Sequence, residues 1–114
     1  MSKRDDRVSV RQMLDHAREA LDLVQGATRA EIEVNRLLGL GLTRLLEIMG
    51  EAASRVSADF RSTHPSIPWA KVVGLRNRLI HAYDVIDYDV LWKILQEDLP
   101  ALILALQGIL EESP

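Results

Sequence analysis

Apolar residues recur at alternating spacings of three and four along almost the whole chain, the period of helices that each bury one face. Val10, Leu14, Ala17, Leu21 and Val24 draw the first stripe. It predicts a helix from about Asp6 to Gln25, ended by Gly26. Thr28, with Glu31 three residues later, forms a capping box and opens a long second helix from Arg29 to about Arg61. Leu38, Leu42, Leu45, Met49, Ala52 and Val56 are its stripe, widened by Leu37, Leu46 and Ile48. Gly39, Gly41 and Gly50 each cost about 1 kcal/mol relative to Ala inside a helix, so close approach of a neighbour or local bending is expected there. Ser62 to Ser66 reads as a polar loop, because His64 precedes Pro65 and is disfavoured from helix. A third helix follows, capped by Ser66 or Ile67 with Pro68 in its first turn. Trp69, Val72, Val73, Leu75, Leu79 and Ile80 are its expected buried face. Asp87 is placed to cap the last helical region, whose stripe is Tyr88, Trp92, Leu95, Leu99, Leu102, Leu106 and Ile109. Pro100 removes the hydrogen bond to Gln96, predicting a kink or a break near Asp98. There is no strand signal, repeat or glycine-rich phosphate loop. The predicted fold is all-α, an up-and-down bundle of four to five helices.

Composition narrows the class. A length of 114 residues suits one domain with one core, so residues 1–114 are read as a single helical domain. The 47% hydrophobic share excludes disorder. With no cysteine there is neither a disulfide framework nor a thiolate metal site. The stretch Met1 to Arg11 is charged, with no apolar run behind it. No signal peptide or membrane span is expected, and a cytoplasmic location is.

The net charge of −3 speaks against a nucleic-acid binder until it is divided along the chain. Residues 44–83 hold six basic side chains (Arg44, Arg55, Arg61, Lys71, Arg76, Arg78) against three acidic ones. Residues 84–114 hold one basic against seven acidic, an excess read first as ordinary solvated helix surface. A local basic site can bind phosphate, whereas broad wrapping of a long nucleic acid is not expected. The five aromatic residues offer no stacking platform for single-stranded RNA, and Trp69 is read as core.

The densest chemistry lies in Arg76-Asn77-Arg78-Leu79-Ile80-His81-Ala82-Tyr83. Guanidinium forks match phosphate oxygens, and imidazole suits proton transfer near neutrality. Five residues of ideal helix rotate the chain so that Arg76 and His81 point about 140° apart. Three arrangements bring them together: the length of Arg, a backbone turn near His81, or a two-fold dimer that joins two copies of the motif. No His is preceded by Glu at the di-iron spacing, and neither a metal nor a cofactor is implied.

The spelling R-x-x-x-x-H-x-Y, then Asp84-Val85-Ile86-Asp87, resembles the HEPN superfamily and within it the HepT-like ribonuclease toxins. Glu47-Ile48-Met49-Gly50-Glu51-Ala52-Ala53 and Pro65-Ser66-Ile67-Pro68-Trp69 are similar to two further family segments, so the resemblance spans roughly residues 8 to 112. It implies a metal-independent RNA endonuclease, the toxin of a toxin–antitoxin pair whose antitoxin is a minimal nucleotidyltransferase. Arg76 and His81 are the implied catalytic pair, with Asn77 and Arg78 as supporting phosphate contacts. A homodimer would supply two His81 side chains, one taking the 2′-OH proton and the other protonating the leaving 5′-oxygen. Tyr83 is the position to which the partner would attach AMP.

Other readings stand beside these. Glu47 and Glu51 share one helix face with Arg44 and Arg55 nearby, and are either surface ion-pair partners or groups that orient Arg76 or His81. Arg76 and His81 could simply pair with acids such as Asp84 and Asp87 at a helix end. The whole chain could be a catalytically silent helical partner of a nucleotidyltransferase. His16 is read as a boundary or surface residue.

Overall fold

The computed structural model describes residues 3–81 and 85–112, with only the backbone of residues 3 and 4. Four helical runs pack side by side. The first is α1 (Lys3–Leu23). The second is α2 (Arg29–Val34), α3 (Arg36–Ser54) and α4 (Ala58–Thr63), and the third is α5 (Trp69–Val73) with α6 (Leu75–Leu79). Two short strands, β1 (Ile80–His81) and β2 (Val85–Ile86), lead to the fourth run. That run is α7 (Tyr88–Lys93), a π-helical turn (Ile94–Asp98) and α8 (Leu99–Glu111). The architecture is the expected all-α bundle. At its centre α1 lies against α3 and α8, while α3 also carries α5 and α6. Val10, Leu14 and Ala17 meet Leu42, Leu46, Met49, Leu95, Leu99 and Leu106 in one core, and their removal from water is the main driving force for the fold.

The capping signals act as their sequence implies. Thr28 and Glu31 form the reciprocal box, Gly26 leaves α1 at φ +80°, and Asp87 accepts the Val90 N–H at 3.1 Å to start α7. The long helix from Arg29 to Arg61 is corrected to three segments. Asn35 breaks the first junction with extended backbone and accepts the Leu38 N–H through its own side chain. At the second junction Ser57 caps α4, and buried Asp6 holds it by accepting the Ser57 N–H at 2.8 Å and its hydroxyl at 2.7 Å. The third helix is capped by neither Ser66 nor Ile67; Pro68 takes that position without a side-chain bond, and Gly74 divides the run. Val73 is 39% exposed instead of buried, since it stands roughly 100° round the short helix from Val72, at the flank of the buried side. Pro100 produces no break: it lies in the first turn of α8, and the π turn ahead of it bonds Leu99 N–H to the Ile94 carbonyl. The wider turn absorbs the missing donor. The absence of strands is also corrected, by the β1–β2 pair.

Glycines mark two close approaches. A Cβ on Gly50 would lie 2.9 Å from the Val72 carbonyl oxygen, and one on Gly39 would lie 2.8 Å from the Tyr88 hydroxyl. Arg7 closes the other end of the bundle by donating to the carbonyls of Ile109 and Leu110 at the last turn of α8. No helix among the described residues is long and apolar enough to cross a membrane.

Trp69 is core, as expected, and donates its indole N–H to the His64 carbonyl at 3.0 Å. The His64 ring stacks on Phe60 at 4.1 Å and bonds Glu112 at 3.0 Å, tying the α4–α5 loop to the end of α8. Burial pulls the His64 pKa down, but the bonds to Glu112 and the Phe60 carbonyl together carry it above the ordinary 6.5. A raised folded pKa means this stabilisation is fully present below pH 6.5 and is lost as pH rises through the folded value. Thermal unfolding is therefore expected to show higher stability near pH 6 than near pH 8 from this pair, with the difference reduced in His64→Gln. An unchanged difference in that variant would assign the pH dependence to other groups.

Candidate active site

The motif begins on α6 and ends beyond it. Leu75 and Leu79 bury one face of this short helix, and Arg76 and Asn77 project from the exposed side. Ile80 leaves the helix with extended backbone (φ −115°, ψ 118°), so the separation of about 140° expected on an ideal helix does not apply to His81. The chain turns before His81, which is the second of the arrangements open to the sequence. Ala82, Tyr83 and Asp84 lie outside the described residues, and with them the Tyr83 reading and any pairing with Asp84.

Strand pairing fixes the path. Ile80 pairs with Ile86 and His81 with Val85 in antiparallel register, and the Asp87 N–H donates to the Leu79 carbonyl at 2.7 Å. Side chains on one face of such a ribbon repeat every second residue, so diagonal neighbours two positions off the direct partner share that face. His81 and Asp87 stand in that relation. The imidazole Nε2 lies 2.8 Å from Asp87 Oδ2. The bond from His81, followed by the one from Val90 N–H, holds the Asp87 carboxyl below the usual carboxylate range. Its contribution to stability is thus present above the ordinary carboxylate pKa and is lost as the solution is acidified through the lower folded value.

Arg76 reaches the other way. Its Nε lies 3.5 Å from Oε2 of Glu47 on α3, a carboxylate mostly sheltered from solvent, while the guanidinium is 71% exposed. Glu51 instead faces Arg44 at 3.3 Å, and Arg44 stands 4.0 Å from Glu47. The two glutamates therefore separate: Glu47 contacts the motif arginine and Glu51 belongs to the surface network. Arg78, two residues past Arg76, turns to Asp98 of the π turn at 3.9 Å. It lines a groove of about 320 Å³ between α5–α6 and α8, walled by Met49, Val72, Leu75 and Leu102. The structure thus brings Arg76 to Glu47 and His81 to Asp87, and sends Arg78 to a different neighbour. Glu47 is one of the two glutamates that the sequence offers for this role, and Asp87, read there as a cap, is also one of the two acids it offers as a pairing partner at the helix end, a pairing that forms with His81. Its reach to His81 follows from strand register, for which the sequence has only the adjacency of Asp84-Val85-Ile86-Asp87.

Chemically, the exposed surface offers a guanidinium held by a carboxylate and an imidazole held by a second carboxylate. Each can meet a phosphodiester from solvent. Comparisons with known proteins point the same way. The family model described as Ribonuclease HepT-like matches residues 13–109. A protein of Methanocaldococcus jannaschii bearing the name "Putative RNase MJ1380" is 40% identical over 102 residues, covering 90% of this chain and 94% of its own. A protein of Thermococcus cleftensis named "Probable ribonuclease HepT" is 38% identical over 93 residues, covering 78% of this chain and 84% of its own. No solved structure matches the chain. With that coverage, and with the motif carried on a helical bundle, the chain belongs to the HepT-like ribonuclease family of HEPN proteins.

Proposed function

We propose that this protein is a metal-independent endoribonuclease acting as the toxin of a toxin–antitoxin pair, with RNA as substrate and a minimal nucleotidyltransferase as antitoxin. The observation that carries the reading is the exit of the chain from α6 at Ile80, which frees His81 from the helix that holds Arg76, in a chain of ribonuclease kinship. In the reaction, the ribose 2′-oxygen attacks the adjacent phosphorus as one His81 takes its proton. The bond from phosphorus to the 5′-oxygen breaks, and that oxygen receives a proton from a second His81. Arg76 stabilises the charge that develops on the phosphoryl oxygens. Asn77 is exposed and free to hold a phosphate oxygen, and Arg78 adds a more distant phosphate contact once it releases Asp98. The products are a 2′,3′-cyclic phosphate and a 5′-hydroxyl, and DNA is inert for want of the nucleophile.

Two histidines require two copies of the chain. Leu37 and Leu40 are exposed on α3 and, with Arg44, Glu47 and Glu51, fall within about 80° on its helical wheel. An apolar end on the face that also reaches Arg76 suits a homodimer whose cleft is shared. The test is RNA cleavage in EDTA, with light scattering on the same preparation. Cyclic-phosphate ends from a dimer are expected. Uncut RNA, or activity that depends on added metal, refutes the reading.

A second reading is favoured by one observation: Arg76 and His81 are both engaged by carboxylates of their own chain, as purely structural residues would be. In that case the protein is a catalytically silent helical partner of a nucleotidyltransferase, binding it while leaving RNA uncut. Control of the toxin is assigned to Tyr83, where attached AMP would add negative charge and bulk two residues along the chain from His81 and compete with RNA phosphate. Incubation with the nucleotidyltransferase and ATP is expected to add AMP mass to the peptide containing Tyr83. Tyr83→Phe should keep its activity and escape this modification. Mass added elsewhere removes Tyr83 from that role.

A further inference from the structure

We propose that Asp87 is the positioning residue for His81: it fixes the imidazole by accepting the Nε2–H, so that Nδ1 is the nitrogen that exchanges protons with RNA. The inference rests on the ribonuclease reading and adds a residue and a specific nitrogen to it.

The carboxylate is held on both oxygens. Oδ1 accepts the Val90 N–H at 3.1 Å as the cap of α7, and Oδ2 lies 2.8 Å from Nε2 of His81. Its backbone is held as well, by the Asp87 N–H to Leu79 carbonyl bond that continues the β1–β2 ladder. An ionised carboxylate can only accept, so the imidazole nitrogen facing it must carry the hydrogen. In the neutral ring Nδ1 then keeps its lone pair and can act as a base; in the charged ring Nδ1–H can act as an acid. Both roles proposed for the two His81 copies are therefore performed by the same atom.

Among the described residues, the neighbouring charged groups are already engaged. Asp89, two residues along, bonds Arg29 of α2 at 2.8 Å, Arg76 is with Glu47, and Arg78 is with Asp98. The imidazole is 62% exposed and Asp87 much less so, so the carboxylate supports the ring from the protein side and leaves the rest of it open. An ion pair this exposed adds little to stability, but a fixed tautomer matters to every proton transfer.

The test combines Asp87→Asn with a direct view of the ring. Asn remains a good helix cap, so α7 is expected to persist. Its amide N–H₂ would face Nε2, favouring the opposite tautomer with hydrogen on Nδ1. Nitrogen-15 spectra of histidine-labelled protein, with His81 assigned by loss of its signals in His81→Gln, are expected to show the Nε2–H tautomer in wild type and a shift toward Nδ1–H in Asp87→Asn. In RNA cleavage the variant should lose at least about 100-fold in kcat with KM within about threefold, because binding groups are untouched.

Wild-type protein with hydrogen on Nδ1 overturns the proposal without reference to any variant. So does a folded Asp87→Asn enzyme with unchanged kcat. Wild-type protein that cuts no RNA fails the ribonuclease reading and this proposal with it. An active wild type whose ring ignores the substitution removes Asp87 alone.

Discussion

Alanine at His81 is expected to lower RNA cleavage by at least about 100-fold, the range for loss of a general acid–base group, with the fold intact. His81 is largely exposed, and its side chain bonds only Asp87 among the described residues. Removing it takes away one exposed pair, of the kind that adds little to stability. Arg76→Ala is expected to lose a comparable factor, since it withdraws the cation that faces the phosphoryl oxygens in the transition state. Its ion pair with Glu47 is also solvent-exposed on the arginine side, so lost activity cannot be assigned to lost structure. Arg76→Lys should recover little, because an ammonium lacks the planar fork. The measurement is the cleavage rate of a defined RNA, beside a thermal melt of each variant. Rates within about tenfold of wild type in both alanine variants would remove these residues from catalysis.

Two glycines on one helix are expected to respond to alanine with opposite signs. Gly50 faces the backbone of α5, and a Cβ there would sit 2.9 Å from the Val72 carbonyl oxygen. A backbone oxygen cannot swing aside as a side chain can, so α5 must move, and with it Gly74, α6 and Arg76. Gly50→Ala should destabilise by about 1–3 kcal/mol, the cost of overpacking. Gly41 lies on the same helix, and a Cβ there would meet nothing within 4 Å. Alanine at that position gains helix propensity without a clash, so Gly41→Ala should stabilise by about 0.5–1 kcal/mol. Urea midpoints at unchanged slope give both values. A neutral Gly50→Ala would mean that α5 has slack, and the tight α3–α5 approach would lose its role in placing the motif.

Local signals are readable where their physics is local. The Thr28–Glu31 box, the Gly26 turn and the Asp87 cap each act within a few residues and behave as their spelling implies. The three–four stripes identify most of the core, because a helix buries the face that periodicity marks. Asn35 does not stand out in the sequence although the residue is a good helix cap; the capping box at Thr28 already supplies a helix start, and the apolar stripe from Leu38 to Val56 gives no sign of a second one. The cap on α4 depends on Asp6, fifty-one positions earlier, and no local rule reaches that far. Pro100 is legible as a perturbation but not as a π turn, since packing on both sides keeps the helical run continuous.

The same division holds at the site. Residue type alone marked Arg76 and His81 as the groups able to meet a phosphate and move a proton. The sequence also determined the helical class and the family. Only the tertiary structure decided which carboxylate each group meets: Glu47 and not Glu51 for Arg76, and Asp87 for His81. The reason is that caps and periodicity are set by neighbours along the chain, whereas these pairings depend on how α3 and α6 pack and on the register of a two-residue ribbon. Both are set by burial across the whole core.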